Sequence, residues 1–129
     1  MSFQEFHLDK SILSGINAVG YTIPTPIQQQ AIPSIMEGKD LLGLAQTGTG
    51  KTAAFALPIL HHLVRNPGSR KIRVLVVSPT RELAEQIHQA CVGFAQNTRI
   101  NSVAIYGGVS KIPQLKGLRR CPEIVVACP

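Results

Sequence analysis

No apolar run in the 129-residue chain approaches the roughly 20 residues that a bilayer-spanning helix needs. Cysteine is scarce: Cys91, Cys121 and Cys128 are odd in number and form no Cys-x-x-Cys pair. That excludes a disulfide or zinc framework and reads as reduced thiols in a cytoplasmic protein. The four histidines have no metal spacing with a cysteine or carboxylate, so no zinc site is expected. The opening Met1-Ser2-Phe3-Gln4-Glu5 lacks the basic and then apolar pattern of a secretory signal. Internal repeats and low-complexity tracts are also missing. Only 16% of residues are charged while 44% are hydrophobic, which excludes an intrinsically disordered chain. The length suits one domain of the commonest size, roughly 100–150 residues.

Acidic residues are few, seven against thirteen basic ones, and the imbalance is local. Residues 1–64 are nearly neutral, with Lys10, Lys39 and Lys51 against Glu5, Asp9, Glu37 and Asp40. Residues 65–129 carry ten basic side chains against Glu82, Glu85 and Glu123. A polyanion partner on the surface built by the second half is one reading. A solvated basic face, including Lys111, Lys116, Arg119 and Arg120, is the other.

Short apolar runs at 40–44, 74–77, 102–106 and 124–127, the last three with β-branched residues, predict strands. Between and before them, helical character predicts helices at 9–18, 26–37, 51–65, 80–96 and about 110–119. Asn66-Pro67-Gly68-Ser69-Arg70 reads as a loop. Such alternation implies βαβ units and an α/β fold with a parallel sheet and right-handed crossovers. The near-continuous apolar runs at 74–77 and 124–127 predict strands covered on both faces. In an open parallel sheet, ligands sit at the carboxyl ends of strands. Those ends are 45–52, 78–82, Gly107-Gly108 and Cys128-Pro129.

The first of these ends reads Ala45-Gln46-Thr47-Gly48-Thr49-Gly50-Lys51-Thr52 and enters a helix. A triphosphate needs several inward-pointing backbone N–H donors, and Gly48 and Gly50 let the loop wrap closely enough. The helix start adds the positive end of its dipole. Lys51 can reach the β- and γ-phosphates, and the Thr52 hydroxyl is placed to ligate Mg²⁺. The Walker pattern asks for glycine where Ala45 stands.

Upstream lies Gly20-Tyr21-Thr22-Ile23-Pro24-Thr25-Pro26-Ile27-Gln28. Thr25 suits a helix N-cap, Pro26 the first helical position, and Gln28 closes a capping box. Alternatively, Gln28 makes a bidentate contact with the N6 and N7 edge of adenine, with Phe3 stacked on the ring. Local pattern alone favours the cap.

Four elements in order now resemble one family. Phe3, then Gly20-Tyr21 and Pro24-Thr25-Pro26-Ile27-Gln28, are similar to the Q motif of DEAD-box RNA helicases. The loop 45–52 resembles that family's phosphate loop, which accounts for Ala45. Ser78-Pro79-Thr80-Arg81-Glu82-Leu83 resembles its motif Ia, and Gly107-Gly108 its double-glycine element. The run 28–33 is similar to the bacterial RhlE-like branch. The resemblance implies a RecA-like P-loop sheet flanked by helices, incomplete at its carboxyl-terminal end. It implies ATP binding through Phe3, Tyr21, Gln28 and residues 45–52, with Lys51 and Thr52 as the catalytic pair. It further implies Mg²⁺ at Thr52, and RNA-backbone contacts from Pro79, Thr80, Arg81, Gly107 and Gly108. A Q-motif region at 1–29 would precede a partial ATP-binding domain at 30–129.

After Thr52 the only acids are Glu82, Glu85 and Glu123, none placed to hold Mg²⁺ and orient an attacking water. The family's Asp-Glu-Ala-Asp and Ser-Ala-Thr motifs do not occur, and Cys128 stands where the family usually has threonine. The expectation is the amino-terminal part of a helicase's first RecA-like domain, inactive by itself. The alternative is a non-catalytic nucleotide- or RNA-binding module ending at Pro129.

Overall fold

The computed structural model describes residues 1–68 and 71–129. Within them a short 3₁₀ turn (Phe3–Phe6) is followed by α1 (Lys10–Val19), α2 (Pro26–Met36) and α3 (Lys51–Arg65). Then come β1 (Val74–Val77), α4 (Arg81–Phe94), β2 (Ser102–Tyr106), α5 (Lys111–Arg119) and β3 (Ile124–Cys128). Local chemistry sets these bounds. The Asp9 carboxylate accepts the Ser11 N–H at 2.9 Å and opens α1, which closes at Gly20 with φ 95°. Thr80 and Ser110 cap α4 and α5 through their hydroxyl oxygens.

The three strands are parallel in the order β1-β3-β2. Val74 aligns with Ile124 on one side of β3, and Ser102 aligns with Ile124 on the other. Ile124, Val125 and Val126 are buried in this central strand. The core gathers Ile12 and Ile16 of α1, Leu57 and Leu60 of α3, and Phe94 of α4 against Ile124 and Val126. Phe3, Phe6 and Leu8 belong to the same cluster, so the first residues of the chain are part of the core.

Two expectations are corrected. Residues 40–44 form no strand, because their backbone finds no ladder partner among the described residues. Leu42 and Leu44 stand 87% and 85% exposed, so apolar content without pairing leaves them outside the sheet. Coverage on both faces holds for β3 but not for β1, whose Leu75 and Val77 are 64% and 62% exposed. Among the described residues β1 is an edge strand, and Leu75 and Val77 mark its uncovered face. Of the loop expected at 66–70, Asn66, Pro67 and Gly68 are irregular, while Ser69 and Arg70 lie outside the described residues.

Two histidines tie the helices to pH. His61 Nδ1 accepts the Asp9 N–H at 2.9 Å, beside an Asp9–Arg65 ion pair of 3.1 Å. His88 Nδ1 lies 2.7 Å from Ser102 Oγ. Burial holds both rings below the ordinary value of 6.5, and for His61 the neighbouring Arg65 adds to it. A depressed folded value means the unfolded chain binds protons first, so stability is full above about pH 6.5 and declines as pH falls below it. The midpoint of thermal unfolding should therefore drop between about pH 7.5 and about pH 5.5. The double variant His61→Gln/His88→Gln should flatten that dependence in the same melts.

Candidate functional site

The loop 45–50 leads directly into α3, and its geometry depends on glycine at two points. Gly48 and Gly50 have φ 82° and 87°, a conformation that side chains disfavour. A Cβ at Gly50 would also lie 2.4 Å from Gln28 Nε2, so the position has no room for one. At Gly48 a Cβ would meet nothing within 4 Å, which leaves that side of the loop open to a ligand. Lys51 is exposed, and its ammonium donates to the Ala45 carbonyl at 2.7 Å across the mouth of the loop. The Thr49 hydroxyl donates to the Gln46 carbonyl at 2.7 Å, which tightens the turn. A cavity of about 860 Å³ is lined by Lys51 and Thr52 together with Asp40, Ile27 and Leu75.

Gln28 joins this loop to the start of α2. Its Oε1 accepts the Thr25 N–H at 3.0 Å, which is the returning half of the capping box. Its Nε2 donates to the Gly50 carbonyl at 3.2 Å. The side chain is 1% exposed, so a contact with a nucleotide base requires it to swing out or the loop to shift. The Thr25 hydroxyl beside it is buried with no hydrogen-bond partner among the described residues. Phe3 is also buried, 3% exposed, with its ring 6.1 Å from Phe6 and 6.4 Å from Tyr21. Tyr21 in turn meets Phe94 edge-on at 5.4 Å. The aromatic residues expected near adenine thus form a row that anchors the first residues to α4.

The second group sits at the carboxyl ends of β1 and β2. Ser78 is buried and its hydroxyl donates to the Thr80 carbonyl at 3.0 Å, which fixes the turn before α4. Thr80 Oγ1 accepts the Leu83 N–H at 3.1 Å. Arg81 is exposed and reaches across to the Gly107 carbonyl at 3.4 Å. Gly108, with φ 83°, allows this approach, since a Cβ there would lie 2.3 Å from Arg81 Nη1. Pro79, Thr80, Arg81 and Gly107 line one cavity of about 500 Å³ with Cys128 and Pro129. The fold therefore brings Gln28 to the loop and Arg81 to the double glycine. No hydrogen bond joins the two groups among the described residues.

Sequence reasoning missed Tyr106 and Glu85, which stand with Arg81 around a neighbouring hollow. The Tyr106 hydroxyl donates to Glu85 Oε2 at 3.0 Å, which raises the phenol above its ordinary value. Hydrogen bonds from Gln89 and then from Tyr106 hold Glu85 below its own. Two signals pointed there. Tyr106 is the last residue before Gly107, at a strand's carboxyl end, and Glu85 lies four residues after Arg81 on one helix face.

The sequence pattern of the DEAD/DEAH box helicase family matches residues 25–129. The chain belongs to that family. Among DEAD-box relatives, it is 46% identical over 129 residues to the ATP-dependent RNA helicase DeaD of Escherichia coli, covering 99% of this chain and 20% of that protein. It is 43% identical over 128 residues to the DEAD-box ATP-dependent RNA helicase RhpA of Helicobacter pylori, covering 99% of this chain and 25% of that one. The structure of the RNA-helicase Prp28 from Chaetomium thermophilum bound to ADP matches with a TM-score of 0.90 and 40% identity. That match covers 99% of this chain and 32% of Prp28. The chain thus spans a quarter or less of these two curated helicases.

Proposed function

We propose that this chain is the nucleotide-binding part of an ATP-dependent RNA helicase, and that it supplies part of the RNA track. The observation that carries the reading is the Gln28–Gly50 hydrogen bond, which links the base-reading motif to the phosphate loop. A glutamine that holds the loop and turns from it to adenine couples base identity to the shape of the phosphate cradle. Phe3 and Tyr21 hold that segment in place. Residues 45–52 surround the triphosphate with backbone N–H donors, and Lys51 exchanges the Ala45 carbonyl for phosphate oxygens. The open side of Gly48 and the Thr52 position fit a nucleotide carrying Mg²⁺. The metal would be held by the Thr52 hydroxyl and would supply positive charge beside the phosphates.

RNA is the second ligand in this reading. Thr80 caps α4, leaving N–H groups of its first turn beside the Arg81 guanidinium to grip a phosphate. Gly107 and Gly108 let the backbone come close without a side chain. Contacts of this type read no base, so binding is sequence-independent. Residues 1–29 and 30–129 then divide by role, not by packing, since α2 runs through the boundary. By itself the chain binds ATP without turning it over, because Glu85 is engaged by Tyr106 and Glu123 lies before β3 at the far end of the sheet. The free thiols of Cys91, Cys121 and Cys128 support a cytoplasmic setting, and the run 28–33 supports the RhlE-like branch.

Nucleotide competition with Gln28→Ala tests the reading. The wild-type chain should prefer ATP over GTP, and the variant should lose about tenfold or more of that preference, the usual worth of a bidentate base contact. An intact preference would show that Gln28 does not read the base.

A further inference from the structure

Most of the described cations of residues 65–129 lie away from the expected RNA track. Among the described residues, only Arg81 and Lys111 of this set stand in the first turns of α4 and α5, at the carboxyl ends of the strands. Lys71 and Arg73 precede β1, Arg99 precedes β2, and Arg119 and Arg120 precede β3. All of these belong to the opposite end of the sheet. The connections there enclose a cavity of about 710 Å³ with Arg73, Arg99 and Arg120 on its lining. Glu123 is the one carboxylate on its described lining, with Oε2 accepting the Asn101 N–H at 2.7 Å, so three guanidinium groups share the cavity with a single negative charge. Arg99 and Arg120 are exposed, and neither forms an ion pair among the described residues. Arg73 is fixed by donating to the Asn66 carbonyl at 2.6 Å, which leaves the rest of its fork available.

We propose that the described residues at the amino ends of the three strands form a second, sequence-independent RNA-backbone surface centred on Arg73, Arg99 and Arg120. It rests on the reading that RNA is a ligand of this chain. Arginine forks match the oxygens of a phosphodiester, and Asn97 and Asn101 between them can bond to phosphate or to a ribose 2′-hydroxyl. An acidic protein partner fits less well, because the described lining has no aromatic side chain to anchor an interface core. Strands of five residues place the two surfaces about 17 Å or more apart. A second stretch of RNA can thus be held while the carboxyl-end turns engage the first.

The test is fluorescence anisotropy of the full 129-residue chain with a labelled single-stranded oligouridine, between about 50 and about 200 mM salt. Arg99→Gln/Arg120→Gln should weaken binding about tenfold and lower the slope of log K against log salt by about 1.4, at about 0.7 per phosphate contact. Arg99→Lys/Arg120→Lys should keep most of the slope, and ATP binding should be unchanged in both variants. Wild-type affinity and slope in the glutamine variant would overturn the proposal while leaving the carboxyl-end track standing. So would loss confined to Arg81→Gln. If an oligoglutamate peptide needs Arg99 and Arg120 and the oligouridine does not, the surface belongs to a protein partner and the proposal fails. A wild-type chain that binds no oligouridine overturns both this surface and the RNA part of the proposed function.

Discussion

Gly15→Ala is expected to destabilise the chain by about 3 kcal/mol, at the upper end of what overpacking costs. The sign opposes intrinsic propensity, since alanine in a helix interior is favoured over glycine by about 1 kcal/mol. Geometry decides between them. A Cβ on Gly15 would lie 2.0 Å from the carbonyl oxygen of Phe94 and 2.8 Å from its carbonyl carbon. Those are backbone atoms at the end of α4, so no flexible side chain can yield. On the facing helix, a Cβ at Gly93 would meet Val19 at 3.2 Å, so α1 and α4 approach closely through a glycine on each. Relief requires α1 to lift from α4, which loosens Ile12, Ile16 and Phe94 in the core. Thermal melts should show a midpoint lower by about 10 °C, from a shift of a few degrees per kcal/mol at this size. Asn17→Ala, on the exposed side of the same helix, should leave the midpoint nearly unchanged.

Lys51→Ala is expected to lower ATP affinity about 100-fold while leaving the fold intact. The side chain is exposed and its bond is to the Ala45 carbonyl, so its removal frees only the mouth of the loop. Surface changes of this kind usually stay within about 0.5 kcal/mol. With ATP bound, the same ammonium faces several phosphate charges inside a ring of N–H donors. A charge-assisted bond of that kind is worth about 1.5–3 kcal/mol, and 3 kcal/mol corresponds to a little over 100-fold. The readout is stabilisation by ligand, which scales as the logarithm of concentration over Kd. Wild-type melts should rise with ATP, and Lys51→Ala melts should not move over the same range.

The helices were legible because their signals are local. Asp9, Thr80 and Ser110 are side chains that cap a start, and Gly20 ends α1 by taking a left-handed turn. Strand existence was less legible, because a strand needs a partner. The runs at 74–77 and 40–44 are both apolar, but only the first is β-branched, and only it finds a ladder, on β3. Gln28 shows a different limit. Capping and base reading were set against each other, whereas the side chain caps α2 and holds Gly50 at once. The tie to Gly50 crosses 22 residues and leaves no local trace. Phe3 looked like a stacking ring but is built into the core, since an aromatic residue near a chain start carries the same letter in either role. Charge was legible as an amount and not as a place. Among the described residues, Lys71, Arg73, Arg99 and Arg120 lie in segments that precede strands, and Arg81 and Lys111 in the first turns of the helices that follow them.

The central claim is that loop 45–52, held through Gln28, is an ATP site. Isothermal titration of the 129-residue chain with ATP and Mg²⁺ tests it most directly, with GTP titrated in parallel. One saturable ATP site per chain is expected, with weaker binding of GTP and an ATP Kd raised about 100-fold by Lys51→Ala. ATP binding of wild-type affinity in Lys51→Ala, or a folded wild-type chain that takes up no ATP, would contradict that claim.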